Sequence, residues 1–366
     1  MKIEYGKIIK KNKSLNKIFF IAGPCSVESE KQIFSIASAL NKSNISVLRG
    51  GIWKPRTRPG SFEGVGEIGL QWLKDAGTSV HLPVAVEVAT PYHVEKSIRC
   101  GIDILWIGAR TTANPFAVQA IADALKGVDI SVMVKNPISP DLELWIGALE
   151  RLNNAGISKL MAIHRGFSSY RKTEYRNTPN WRIPIELKRI LPKLPLLCDP
   201  SHISGNTSLV PILAQEALDL LFDGLMVEVH NHPEKALSDG KQQLTPQQFH
   251  SLLNTLTVKH QSTDNSGLLH KIKHLRKEVD EVDSQIINLL TQRMQTTNLI
   301  GSLKRSDNLT SYQPNRWEEI IKSRLKLAKK NSLSEDFVFS VYQLIHEESI
   351  KQQEKELFTS STKRKK

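Results

Sequence analysis

Four residues of this chain, Cys25, His202, Glu228 and Asp239, are of the types that bind transition metals, and each stands in or just after a short apolar run. One thiolate, one imidazole and two carboxylates make a mixed sulfur, nitrogen and oxygen donor set. Such a set suits a divalent transition ion, which with an open position acts as a Lewis acid on a carbonyl oxygen. A second group, Arg49, Lys54, Arg56, Arg110, Lys135 and Arg165, follows other runs of the same kind. Six cations in one cleft repel each other unless anions neutralise them, and Arg forks match phosphate and carboxylate. The group therefore reads either as a site for two phosphorylated substrates or as a set of surface ion pairs.

Bringing these residues together requires a fold that gathers strand ends. Between residues 18 and 250, β-branched runs at 19–22, 46–48, 84–88, 104–107, 131–134, 160–163, 196–198 and 225–229 alternate with amphipathic stretches, the pattern of βα units around a parallel sheet. Eight such units in about 250 residues predict an α/β chain folded as a (β/α)8 TIM barrel. A doubly wound sheet would have fewer strands and a Gly-rich first turn, and Gly23-Pro24-Cys25-Ser26 is no such turn. In a barrel both groups, together with Glu87 at the end of the third run, lie on the C-terminal rim. Strands one, seven and eight become neighbours on closure, which lets Cys25, His202, Glu228 and Asp239 converge.

With 366 residues, 40% of them apolar and 24% charged, the chain is long enough for about two globular domains. Its three cysteines, Cys25, Cys100 and Cys198, fit neither a disulfide framework nor a paired zinc motif. The net charge of +13 sits mostly in tails: residues 1–17 carry +5 and residues 363–366 carry +4. No basic stripe interleaved with aromatics runs through the body, so neither nucleic acid nor membrane is an expected partner, and a cytoplasmic location is expected. The expected domains are a barrel over 1–253, a polar linker over 254–270, a helical domain over 271–357 and a basic tail over 358–366.

Gly23-Pro24-Cys25-Ser26-Val27-Glu28, Leu48-Arg49-Gly50-Gly51-Ile52-Trp53-Lys54-Pro55-Arg56-Thr57, Gly108-Ala109-Arg110, Asp199-Pro200-Ser201-His202, Val227-Glu228-Val229-His230 and Ala236-Leu237-Ser238-Asp239-Gly240 closely resemble the type I synthases of 3-deoxy-D-arabino-heptulosonate 7-phosphate (DAHP). The resemblance covers residues 18–250. It implies a metal-dependent condensation of phosphoenolpyruvate with erythrose 4-phosphate, at the head of the shikimate route to aromatic amino acids. It implies that Cys25, His202, Glu228 and Asp239 hold one divalent metal (Mn, Fe, Co or Zn), and that Arg110, Lys135 and Arg165 hold the phosphoenolpyruvate phosphate. Arg49 and Lys54 would hold its carboxylate, and Lys54, Arg56 and Thr57 the erythrose 4-phosphate. Lys54 is the expected proton donor and Glu87 the expected water-orienting group. The related 3-deoxy-D-manno-octulosonate 8-phosphate synthases carry an Asn-Arg-Ser loop where this chain has Lys-Pro-Arg-Thr, which favours the four-carbon aldose.

From Ile272 apolar residues recur at a 3-4 spacing for over thirty residues without proline, which predicts one long helix, followed by shorter helices near 316–330 and 335–354. Two short helices cannot cover so long a partner, so its seam predicts a homodimer or higher assembly. Arg293 falls on the apolar seam and Lys304 about 20° round from it, either snorkelling or facing anions, while Arg276 points about 100° away. Ser349 and Gln353 lie one turn apart on the last helix.

Leu275-Arg276-Lys277-Glu278-Val279, Leu289-Leu290-Thr291-Gln292-Arg293, Gly301 to Lys304, Arg316 and Tyr342 to Gln353 resemble the all-helical chorismate mutases. This implies an intertwined dimer that rearranges chorismate to prephenate. Arg293 and the partner chain's copy of Arg276 would bind the two carboxylates, Lys304 and Gln353 the ether oxygen, and Arg316 and Ser349 would complete the pocket. Trp317 stands where many relatives carry Glu. The expected protein is bifunctional. The alternative is a DAHP synthase whose helical domain senses chorismate or prephenate without useful turnover. With about seventeen residues ahead of the first strand, allosteric feedback is expected to run through the helical domain.

Overall fold

The computed structural model describes residues 18–54, 60–170, 173–259 and 262–359, with side chains described to 354. The chain divides into two compact units, 1–260 and 261–366. The first is a closed barrel of eight parallel strands in sequence order. They are β1 (Phe19–Gly23), β2 (Val47–Arg49), β3 (Val84–Val88), β4 (Ile104–Ile107), β5 (Ser131–Lys135), β6 (Leu160–His164), β7 (Leu196–Cys198) and β8 (Gly224–Glu228). Closure pairs β1 with β8 and sets Gly23 opposite Glu228.

The two-residue period of a strand sorts side chains between two cores. Ile21, Val47, Ala85, Ile104, Trp106, Met133, Met161, Leu197 and Met226 fill the barrel interior. Phe20, Leu48, Val84, Leu105, Val132, Ala162 and Leu225 face outward into the layer shared with the helices. Arg49, Glu87, Lys135 and Glu228 each lie two residues beyond an interior position, so the alternation alone turns them inward at the rim. His164 has the opposite parity. It ends β6 but packs outside the barrel against Trp145, Phe167, Trp181 and Phe222, away from the rim chemistry.

The second unit has three helices, Ser266–Ser306, Pro314–Lys330 and Glu335–Thr359. The first begins inside the stretch expected as linker because the Asn265 side chain accepts from Leu268 N and caps it there. Over its 41 residues, about 60 Å at 1.5 Å each, only Thr297 and Gly301 are buried. Leu275, Val279, Val282 and Ile286 are each close to half exposed or more. No helix among the described residues is long and apolar enough to cross a membrane.

Candidate active sites

At the C-terminal rim of the barrel, ligand atoms of Cys25, Glu228 and Asp239 lie within 4.8 Å of one another. Cys25 sits two residues past β1 and Glu228 ends β8, so the β1–β8 pairing that closes the barrel brings them together. Asp239 arrives on the following loop in a left-handed backbone conformation (φ 50°), with its Oδ2 3.5 Å from the Cys25 sulfur. His202 adjoins this cluster, its Nε2 3.8 Å from Glu228 Oε1 and its Nδ1 2.8 Å from Asp199 Oδ2. Asp199 also caps the short helix Pro200–Ser204 by accepting from His202 N. One carboxylate therefore holds the backbone of His202 by a hydrogen bond and lies within ion-pair distance of its ring, the kind of outer-shell partner that metal-ligating histidines generally have.

The donor set fits a divalent transition ion. Glu228 Oε1 is fully buried and accepts no hydrogen bond among the described residues, although Arg49 Nη2 lies 3.2 Å away. Three groups that carry negative charge when ionised, with ligand atoms this close together, suit a divalent ion that would neutralise them jointly. Burial first, then Glu228, pushes the Cys25 thiol up to about 11. Burial works against the Asp239 carboxylate too, yet Arg176, His202 and Lys54 outweigh it and hold its pKa near 2.

A cavity of about 470 Å³ opens beside this cluster and is lined by Lys54, Glu87, Arg110, Lys135, Arg165, Arg176, Asn177, His202 and Asp239 among others. Lys54 donates to the Cys25 sulfur at 3.0 Å. Burial opposes its charge, but Cys25, Glu228 and Glu87 more than compensate, so its pKa lies above the ordinary value. Lys135 is buried and pairs with Asp199 at 2.7 Å. Arg165 donates to Asn177 Oδ1 at 2.6 Å, and burial brings it down to about 10, still charged at neutral pH. Gly108 allows Glu87 to reach the cavity wall, since a Cβ there would collide with the Glu87 carboxylate.

Of the cations read from the sequence, Lys54, Arg110, Lys135 and Arg165 line the cavity, while Arg56 and Thr57 lie outside the described residues. Arg49 does not reach the cavity wall; it is buried against Glu228 with its guanidinium 4.9 Å over the Trp106 ring. Several participants were missed. Trp106 donates from its indole to Glu87 at 3.1 Å and also lies under Lys135 at 5.9 Å. Arg176 reaches Asp239 at 3.2 Å and Gln242 at 2.6 Å. A lone Trp of inward parity on β4 was a legible signal for the first. Arg176, twelve residues beyond the end of β6 in an irregular loop, left none.

In the second unit, Arg293 donates to Ser349 Oγ at 2.5 Å, and Lys304 donates to the Ser311 carbonyl at 2.9 Å. Ser349 and Gln353 are both buried. Gly301 lies directly against Gln353, so the long and third helices approach closely there. Burial lowers both Arg293 and Lys304 from their ordinary values. Four of the six expected residues therefore gather on facing surfaces of two helices. Arg276 is exposed on the long helix, and Arg316 pairs with Glu319 on the exposed side of the second helix at 2.9 Å.

Residues 7–264 match the model of the DAHP synthetase I family, and residues 275–354 match that of chorismate mutase type II. The chain is 36% identical over 236 residues to a phospho-2-dehydro-3-deoxyheptonate aldolase of Thermotoga maritima, covering 64% of this chain and 68% of that protein. It is 26% identical over 270 residues to a 2-dehydro-3-deoxyphosphooctonate aldolase of Azoarcus, covering 69% of this chain and 94% of that one. A crystal structure of the Thermotoga maritima DAHP synthase superposes with a TM-score of 0.60 at 34% identity, over 68% of this chain and 72% of that chain. A truncated form of the same enzyme gives 0.58 at 31% identity, over 68% and 90%. With the barrel, its rim chemistry and both family matches in agreement, the chain belongs to the DAHP synthetase I family and carries a type II chorismate mutase domain after the barrel, a bifunctional enzyme architecture of the shikimate route.

Proposed function

We propose that the barrel condenses phosphoenolpyruvate with erythrose 4-phosphate to DAHP and phosphate, and that the helical unit converts chorismate to prephenate. The observation that carries the first half is the cavity in which Lys54, Arg110, Lys135 and Arg165 border a cluster of metal-binding donors. Cys25, His202, Glu228 and Asp239 would hold a divalent metal, which when bound supplies Lewis-acid polarisation of the aldehyde.

The chain's own residues account for the rest. Arg110, Lys135 and Arg165 neutralise the phosphate of phosphoenolpyruvate and hold it as a leaving group, while the loop after Lys54 takes the aldose phosphate. A C–C bond forms between the enol carbon and the aldehyde carbon, water adds at the carbon bearing the phosphate ester, and its C–O bond breaks to release phosphate. Lys54, an ammonium with a raised pKa, delivers a proton to the alkoxide that develops on the aldehyde oxygen, and Glu87, fixed by the Trp106 indole, orients the water.

The rearrangement of chorismate moves no proton and needs no nucleophile. One C–O bond breaks as one C–C bond forms, so a cage that selects the reactive conformer and stabilises the ether oxygen is sufficient. Arg293, Lys304 and Gln353 provide it, with Arg276 entering from a second copy of the chain. The exposed seam at Leu275, Val279, Val282 and Ile286 supports a homodimer.

The deciding experiment follows phosphoenolpyruvate consumption with erythrose 4-phosphate or with arabinose 5-phosphate, each with and without chelator. Loss with erythrose 4-phosphate alone, abolished by chelator and restored by a divalent metal, is expected. Consumption with arabinose 5-phosphate instead, or no consumption at all, would overturn the barrel reading. Chorismate loss, absent in Arg293→Ala, tests the helical half against the sensing alternative.

A further inference from the structure

On the third helix of the second unit, His346, Ser349 and Gln353 fall at i, i+3 and i+7 and so share one face. Ser349 already meets Arg293, and Gln353 meets Gly301, so His346 extends the same polar stripe by one turn. Trp317 stacks on the imidazole with ring centroids 4.2 Å apart and planes within 17°. Tyr312 lies tilted against it at 6.0 Å. The stack fixes the plane of the ring, yet its Nε2 is buried without a hydrogen-bond partner among the described residues, and so is Gln353 Oε1 on the same face. Buried polar atoms are normally partnered, and two of them on one stripe beside Arg293 and Lys304 mark the place of a polar ligand.

We propose that His346, held by the Trp317 stack, is a ligand-contacting residue of the helical pocket that hydrogen-bonds the bound dicarboxylate. The assignment rests on the mutase reading of that pocket. It gives Trp317 a use at the position where many relatives have Glu, since the indole fixes a second polar group in place of supplying one itself.

The surroundings of the ring determine how it responds. Burial, then Arg293, holds the imidazole below its ordinary pKa, with Lys304 adding to the effect and Glu347 on its own helix opposing it. Trp317 and Tyr312 pack their rings against the imidazole. Arg324 acts on Arg293 and packs over Tyr342 at 5.7 Å. A dianion that neutralises Arg293 and Lys304 removes the repulsion, so the imidazole gains a proton as the ligand binds.

The test is calorimetry of the full-length chain at pH 6.5 with a bicyclic ether dicarboxylate, a stable mimic of the rearranging skeleton, in two buffers of different ionisation enthalpy. Wild type is expected to take up protons on binding, seen as a binding enthalpy that differs between the two buffers. His346→Gln, which keeps a hydrogen-bonding group but cannot titrate, is expected to bind within about threefold of wild type and take up none. His346→Leu is expected to bind about tenfold more weakly, also without uptake. Binding by wild type without proton uptake, or equal uptake in His346→Gln, overturns the role of His346. No binding by wild type at all overturns the pocket reading beneath it.

Discussion

The Lys54 ammonium lies 3.0 Å from the Cys25 sulfur, so the cluster of Cys25, Glu228 and Asp239 and the cations that line the cavity are in direct contact. Gly51 makes that contact possible, because a Cβ there would strike both the Cys25 carbonyl and the Lys54 side chain. The cation proposed to deliver the proton is thereby fixed beside the donors that would hold the metal.

Replacing Lys54 by Ala should lower kcat for DAHP formation by about 10²- to 10³-fold, the size expected for a preorganised charged donor. Steady-state phosphoenolpyruvate consumption, with folding checked by circular dichroism, measures it. Turnover within a few-fold of wild type would remove Lys54 from the proton-donor role.

Chelation should act on stability as well as on activity. A ligand that binds only the folded state at 100 times its dissociation constant adds about 2.7 kcal/mol, so a divalent metal should raise the barrel's Tm, and Cys25→Ala should lose most of that increment. Thermal melts with elemental analysis of the purified protein read both quantities. An unchanged Tm and an unchanged metal content in Cys25→Ala would place the metal elsewhere.

Arg49 and Glu228 form a buried pair at 3.2 Å, and their roles can be separated. Arg49→Met removes one partner and leaves a buried carboxylate, which should cost about 3–5 kcal/mol of stability without metal. Added metal should recover part of it by supplying the missing positive charge. Urea unfolding of the variant with and without divalent ion is the measurement, and an identical midpoint in both conditions would contradict the arrangement.

His164 should make the barrel acid-sensitive. Burial lowers its pKa to about 3, against 6.5 for the exposed ring. Above pH 6.5 the ring is neutral in both states and the effect is absent. Below it the unfolded chain binds a proton that the native state refuses, so stability falls as pH drops from 6.5 towards 3. By pH 4 the loss is about 3 kcal/mol. His164→Phe, set among four aromatic rings, should flatten this slope in denaturant titrations between pH 7 and 4. A slope equal to wild type would show that other groups carry the acid response.

Val282 lies on the exposed apolar seam of the long helix. Val282→Asp should break self-association and lower chorismate turnover by at least tenfold, with barrel activity little changed, because a buried unpaired charge opposes the interface. Light scattering coupled to size-exclusion chromatography gives the mass. A wild-type chain that is already monomeric would rule out the shared pocket.

Much of this protein follows from local pattern. The eight β-branched runs were legible as strands, because a strand buried on both faces needs a short continuous apolar run. Strand-end positions of Cys25, Glu87, Lys135 and Glu228 were legible for the same reason. The 3-4 spacing after Ile272 likewise determined the long helix, although its true start depended on the Asn265 cap. Tertiary structure decided which groups touch. Cys25 and Asp239 are 214 residues apart and meet only because closure pairs β1 with β8. Arg49 turned to Glu228 of β8 and Trp106 of β4 inside the barrel, because its inward parity on β2 sends the guanidinium across the interior to strands that are not its neighbours. Arg176 entered from an irregular loop, and Trp317 met His346 across two helices. Those contacts depend on how elements pack, which periodicity along one strand or helix does not encode.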